Sequence, residues 1–422
     1  MYSVGGKTVS VGNKFPEKKI RTLTFQVKGT EFPDTPYSFL SELSFESNLP
    51  NSVVVNYGDG NSVVKEFVQD GAKYVIGYRH DGNSTNSFPD SARIGNHTYT
   101  DNNSGPRFIT FTFQNAEDIY RIYFNTVVLI GSLPKELNSF KGLKTISLNR
   151  VYELSNLNIN ISKSLESFNL ARAVITPFNF IPNSIFQSNL SSLGISGVFN
   201  LSNNLSSSFF KINQLSGTLT VLNISNTFNE ELPIEVSNLN KLTNFQCIGN
   251  PYTEMQSVIN DIPSLETLYH GSNLSQPMEL VSFNNLNLLG TLLLNFQDLD
   301  FSTMSENWFG LKSLFRFLQF KFFVRSTQKF NEFTENFYTL CTQNGFLDPS
   351  STEAQNTGFP EQFRDISWGD GNDWFTLSDP IQAPSGFSLG ISNGTPANNA
   401  EKIYVLVENY GHTVELASTL KR

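Results

Sequence analysis

The frame Leu-x-x-Leu-x-Leu, with other large or polarisable residues standing in at some positions, occurs eight times between residues 143 and 319 and constrains this chain more than any other feature. It reads Leu143-x-x-Ile146-x-Leu148, Leu165-x-x-Phe168-x-Leu170, Leu190-x-x-Leu193-x-Ile195, Leu219-x-x-Leu222-x-Ile224, Leu242-x-x-Phe245-x-Cys247, Leu265-x-x-Leu268-x-His270, Leu289-x-x-Leu292-x-Leu294 and Leu314-x-x-Phe317-x-Gln319. Successive first positions lie 22, 25, 29, 23, 23, 24 and 25 residues apart, a spacing too narrow for chance matches in an apolar-rich chain. A unit of this length carries a short strand whose alternate side chains enter a core and a less regular return segment that closes the coil. One unit cannot bury its own apolar face, whereas stacked units bury a shared one.

The return segment has its own pattern. Leu133-Pro134-x-Glu136-Leu137-x-x-Phe140 recurs as Leu232-Pro233-x-Glu235-Val236-x-x-Leu239 and more loosely at Ile181-Pro182-x-x-Ile185. With the strand frame, this resembles the leucine-rich-repeat family in the version whose return segment begins Leu/Ile-Pro. The resemblance implies a solenoid over residues 127–325. It also implies an Asn at the ninth position of each unit, where this sequence has Asn250 and Asn273 but Val151, Ala173, Val198, Thr227 and Gln297 elsewhere.

Inward first, fourth and sixth positions leave the third, fifth and seventh pointing away from the core on a concave sheet. Those residues are small, polar and uncharged, and Asn149, Asn169, Asn223, Ser225, Asn244, Gln246 and Tyr269 are the candidate binding residues. The face holds no nucleophile beside a base and no cluster of metal ligands, so no catalytic residue, metal or cofactor is expected. Leu293, Leu318 and Phe320 form an apolar end that calls for cover. Residues 326–346, with Phe330, Phe333, Phe337, Leu340 and Cys341 on one face and Gly345 as the stop, are expected to supply it as a capping helix.

Ahead of the solenoid, residues 22–126 alternate as strands do. Tyr57-Gly58-Asp59-Gly60 between Val-rich runs is a turn signal, and His97-Thr98-Tyr99 precedes the strand Arg107–Phe113. This resembles the polycystic-kidney-disease (PKD) type of immunoglobulin-like sandwich. Asp59 and Asn61 alone are too few oxygens for calcium, and His97 reads as a structural residue. Residues 1–21 form a basic arm, and 347–422 a small C-terminal β region. In that region Trp368-Gly369-Asp370-Gly371 repeats the turn, Trp368, Trp374 and Phe375 either fill a small core, the favoured reading, or stack on sugar rings, and Lys402 to Val407 reads as a strand. The expected fold class is therefore mainly β with some α: a repeat solenoid flanked by an N-terminal PKD/Ig-like β-sandwich and a C-terminal β region.

Composition bears on function. The low charged fraction of 16%, the 38 Phe and the abundant Asn and Ser suit β structure with polar turns. A net charge of −9 and a pI near 5.1 leave no positive field for nucleic acid. No apolar run is long enough to span a membrane or to serve as a signal peptide, and Cys247 and Cys341 read as buried thiols. The order of parts is similar to that of repeat proteins of Bacteroidota and of the phages infecting them. That resemblance implies a non-enzymatic virion protein in tail, fibre or head decoration, or alternatively a bacterial surface adhesin. The partners implied are other virion proteins, a host surface glycan or protein, and further copies of the chain. Asp298, Asp300 and Glu306 are the carboxylates an enzyme acting on glycans would use, in a return segment where acidic groups are ordinarily solvated.

Overall fold

The computed structural model describes residues 21–28, 42–77, 105–157, 164–172, 183–197, 209–227, 231–274, 276–296, 299–308, 327–343 and 379–409, with Ile94 and short strands at 3–4, 7–8, 30–32, 35–38, 174–175, 319–322, 365–368 and 413–414. His97, Asp298, Leu314, Leu318, Trp374, Phe375, the glycine–aspartate turn at 369–371 and most of the arm at 1–21 lie outside them.

Among the described residues, eight strands pair into the main sheet of the N-terminal part: β1 Arg21–Lys28, β2 Glu42–Ser47, β3 Ser52–Asn56, β4 Ser62–Glu66, β5 Val68–Asp70, β6 Lys73–Gly77, β7 Arg107–Phe113 and β8 Ile119–Ser132. All pair antiparallel, in the runs β4–β3–β7–β1 and β5–β6–β2–β8, with β1 meeting β8 at Val128 and Leu129. Period-2 alternation of apolar residues gives β7 one buried face, Ile109, Phe111 and Phe113. Phe45 of β2 packs against Phe111 and Phe113 at 5.2 and 4.9 Å, and Phe25 of β1 lies 5.0 Å from Phe124 of β8. Gly58 and Gly60 take φ of 78° and 90°, and a side chain at Gly58 would strike the Phe108 carbonyl, which explains glycine in that turn.

From β8 onward the pairing becomes parallel. The ladder runs β8, β9 Thr145–Asn156, β10 Ser167–Ala171, β11 Ser192–Ser196, β12 Val221–Asn223, β13 Asn244–Asn250, β14 Thr267–Ser272 and β15 Thr291–Asn295. Its register stacks identical frame positions: Ile146, Phe168, Leu193, Leu222, Phe245, Leu268 and Leu292 form one continuous row, all buried. The first positions Leu143, Leu165, Leu190, Leu219, Leu242, Leu265 and Leu289 are no more than 3% exposed and share the same core. Return segments after Leu133-Pro134 and Leu232-Pro233 make matching 3-10 turns, Lys135–Ser139 and Ile234–Asn238, that bury Leu137 and Val236. This is the leucine-rich-repeat fold, set by geometry that the sequence period dictates.

The junctions differ from expectation. The boundary expected between 126 and 127 falls inside β8, whose one edge pairs antiparallel with β2 and β1 and whose other edge opens the parallel ladder. Ile122 and Phe124 stand in the rows of Ile146 and Leu148, so the first coil begins ahead of Leu143. The last frame is also shifted. In β16, Gln319–Phe322, it is Phe320 and Phe322 that pair in register with Leu292 and Leu294, while Gln319 pairs with Thr291. Register thus pairs Lys321, and not Phe320, with Leu293.

The helix expected at 326–346 forms as α1, Thr327–Gln343, with Phe330, Phe333, Phe337, Leu340 and Cys341 buried. It does not end the ladder. Strand β17, Asp365–Trp368, pairs parallel with β16 after it, and β18, Thr413–Val414, pairs with β17, so the helix occupies the return path of a further coil. The strand expected at Lys402 to Val407 is instead a helix, α2, Asn399–Glu408. Asn398 caps it by accepting from the Glu401 amide at 2.9 Å, while the Glu401 carboxylate accepts from the Ala397 amide, and Ala400, Ile403 and Leu406 form its buried face. Capping and 3.6-residue periodicity outweigh the strand preference of Ile403, Val405 and Val407. The C-terminal region therefore combines a helix with the hairpin Ser385–Ser388 and Ser392–Thr395.

Candidate functional site: the outward rows of the ladder

Parallel strands in register place equivalent outward side chains side by side, one strand spacing of about 4.8 Å apart. One row reads Tyr123, Ser147, Asn169, Gly194, Asn223, Gln246, Tyr269, Leu293, and a flanking row Arg121, Thr145, Ser167, Ser192, Val221, Asn244, Thr267, Thr291. From β9 to β15 neither row contains a charged residue. Most of these side chains are half-buried because each leans on its neighbour.

The amides are organised into two groups. In the first, Asn149 Nδ2 donates to Asn125 Oδ1 at 2.9 Å and Asn169 Nδ2 to the Ser147 hydroxyl at 3.3 Å. In the second, Asn223 Nδ2 donates to Gln246 Oε1 at 3.1 Å, and Gln246 Nε2 to Asn244 Oδ1 at 3.4 Å. Gly194 separates the groups; a side chain there would overlap Asn169 Oδ1. Tyr269 stands in register between Gln246 and Leu293. Six of the seven candidate residues therefore line one face. Ser225 lies beyond the end of β12, where its amide donates to Asn223 Oδ1 and its carbonyl accepts from the Thr227 hydroxyl and the Gly197 amide. Asn125 is a member the sequence reading missed, although Ile119-x-x-Ile122-x-Phe124, 24 residues ahead of Leu143, carries the same frame.

Behind the face runs a buried polar string. Asn250, fully buried, donates to the Ile224 and Cys247 carbonyls and the Tyr252 hydroxyl and accepts from the Thr227 amide, and Thr227 in turn donates to the Ile195 carbonyl. The Asn expected to do this at 273 does not. A register shift after Cys247 sets Ser272, not Asn273, opposite Asn250, and Asn273 is exposed. His270 accepts at Nε2 from the Gln256 amide at 3.2 Å, so its proton sits on Nδ1, 3.3 Å from Cys247 Sγ. Burial holds the imidazole near a pKa of about 3 and pushes the thiol well up, so both stay neutral. This thiol and imidazole are sealed in the core and offer neither nucleophile nor base to a substrate.

Of the other candidate groups, Asp300 and Asp59 tie local turns. Asp300 is held below the ordinary carboxylate range by the hydroxyl and amide of Ser302, the opposite of the raised pKa a general acid needs. Glu306 is exposed. Both Asp59 oxygens accept from Asn61, which ties the turn together. Among the described residues no group of three or more His, Cys, Asp or Glu could hold a metal ion, and no helix is long and apolar enough to cross a membrane.

No protein-family profile matches this chain, and no curated protein does. Solved structures with similar geometry include the PEPR1–AtPEP1 complex, at 14% identity and a TM-score of 0.31 over 49% of this chain and 29% of that one. An internalin, InlF of Listeria monocytogenes, is similar at 14% identity and a TM-score of 0.30 over 52% of this chain and 72% of that one. The plant peptide hormone receptor RGFR1 in complex with RGF2 is similar at 17% identity and a TM-score of 0.26 over 47% and 32%. The chain spans about a third or less of the two plant proteins.

Proposed function

We propose that this protein is a non-enzymatic recognition component of a phage virion, in the tail, a fibre or a head decoration, and that it presents the outward rows of β9–β15 to a host surface receptor. The observation that carries the reading is the face itself: seven adjacent strands of uncharged hydrogen-bonding side chains on a rigid parallel ladder, with no carboxylate, imidazole or thiol among its described members. Such a face recognises through many modest contacts, and display of several copies multiplies them. The N-terminal strands β1–β8 serve in this reading as a PKD/Ig-like sandwich that links the ladder to other virion proteins. The order of parts, which resembles that of repeat proteins of Bacteroidota and their phages, supports the assignment and equally supports a bacterial surface adhesin.

Mass spectrometry of gradient-purified particles and of host envelope fractions separates the two. Enrichment in particles is expected; enrichment in envelopes selects the adhesin, and absence from both overturns the pair. Incubation with capsular polysaccharide is expected to release no reducing ends, and release would overturn the non-enzymatic reading.

A further inference from the structure

The second amide group ends on a half-buried aromatic ring, Tyr269, whereas the ring beside the first, Tyr123, is only 3% exposed. Tyr269 is half-buried, and no described group hydrogen-bonds its hydroxyl. On one side, in register, lies Gln246, fixed by Asn223 and bonded onward to Asn244. On the other lies Leu293, also half-buried, which widens the apolar strip beside the ring. Thr267 precedes Tyr269 by one outward position, and Gly271 follows it without a side chain. Asn244 accepts from Gln246, and no described group takes up its Nδ2 hydrogens.

A ring presenting apolar surface beside oriented planar amides and a hydroxyl, with no charge in the two outward rows from β9 to β15, sets the chemistry of its ligand. A ligand with formal charges would find no counter-charge and would lose hydration on docking. An extended peptide would want side-chain pockets, and the small residues of the flanking row provide none. A pyranose ring combines an apolar C–H face, which stacks on an aromatic ring, with equatorial hydroxyls that both donate and accept. Carboxamides match that mixture because each carries donors and an acceptor in one plane.

Resting on the reading that the outward rows bind, we propose that Tyr269, Gln246, Asn244 and Thr267 form a subsite for an uncharged oligosaccharide, with a sugar ring stacked on Tyr269 and its hydroxyls bonded to the two amides. The test uses the full chain on an array of neutral oligosaccharides (glucans, mannans, galactans and N-acetylglucosamine oligomers), with uronate and sulfated oligosaccharides and extended decapeptides as further arms. Binding to at least one neutral oligosaccharide is expected. Tyr269→Ala should weaken it at least tenfold, Tyr269→Phe by less than threefold, and Gln246→Leu at least fivefold, with unchanged thermal unfolding for each variant.

Binding confined to charged sugars, binding to no sugar, or sugar binding indifferent to Tyr269→Ala overturns the subsite. Peptide binding abolished by Gln246→Arg would overturn it while leaving the recognition face standing. A ligand that protects return-segment amides from hydrogen exchange, and not those of β13 and β14, would overturn the face as well.

Discussion

At the scale of single residues, two features of the coils have measurable consequences. The eighth position of five successive units, Arg150, Arg172, Gly197, Asn226 and Gly249, takes a left-handed conformation with φ between 50° and 72°. Glycine accepts that geometry freely, whereas a side chain there costs about 1 kcal/mol. Arg172 is exposed, so Arg172→Gly is expected to raise stability by about 0.5–1 kcal/mol in urea unfolding. His270 supplies the second. In the unfolded chain its imidazole titrates near 6.5, and in the core near about 3, so between those values only the unfolded chain binds the proton. Stability is thus fully present above pH 6.5 and is lost as pH falls towards 3, by as much as about 5 kcal/mol at the limit. His270→Gln, which keeps an acceptor for Gln256, should lose markedly less stability than the native chain between pH 7 and pH 4, and equal losses would contradict this. The outward rows were legible as simple alternation. Ser225 and Asn273 were not, because left-handed turns and a register shift are backbone choices that residue spacing does not record.

At the scale of elements, β8 carries the largest burden. Glu46 on β2, with its carboxylate 8% exposed, accepts from Lys73 at 3.0 Å, Arg121 at 3.3 Å and the Tyr120 hydroxyl at 2.6 Å, which joins the antiparallel strands to the first coil. Burial and the bond to Glu46 keep Tyr120 protonated. Removing the carboxylate strands its partners, two of which reach solvent in part, so Glu46→Leu is expected to cost about 1–3 kcal/mol and Glu46→Gln less, in the same unfolding measurement. The strands from β9 to β15 were readable because a fixed period and a buried Leu at each first position leave one phase only. Elsewhere several phases competed. "IYRIYF" satisfies both a sheet strand and the repeat frame, and β8 is both. The Phe-rich run around Phe320 fits more than one register. For α2, five consecutive apolar residues suggested a strand, and the deciding signal was Asn398-x-x-Glu401 just upstream.

For the whole molecule, one apolar core runs from Leu23 of β1 to Leu406 of α2. Solenoids hold together through contacts between neighbours, so damage in one coil spreads along the stack. Because β8 belongs to both sheets, Phe45→Ala on the N-terminal side and Leu222→Ala in the ladder should each destabilise one shared transition, lowering its unfolding free energy by about 3–5 and 2–5 kcal/mol respectively. Two separable transitions in hydrogen exchange of β7 and β12 amides would show the halves to be independent. The shared strand also bears on mechanics. A pull between the far coils and the N-terminal strands is carried along the chain through β8. With β8 clamped by hydrogen bonds on both edges, tension along its axis must shear two rows of bonds at once instead of opening them one by one, so a force taken up at the far coils would reach the N-terminal strands without a weak hinge between them.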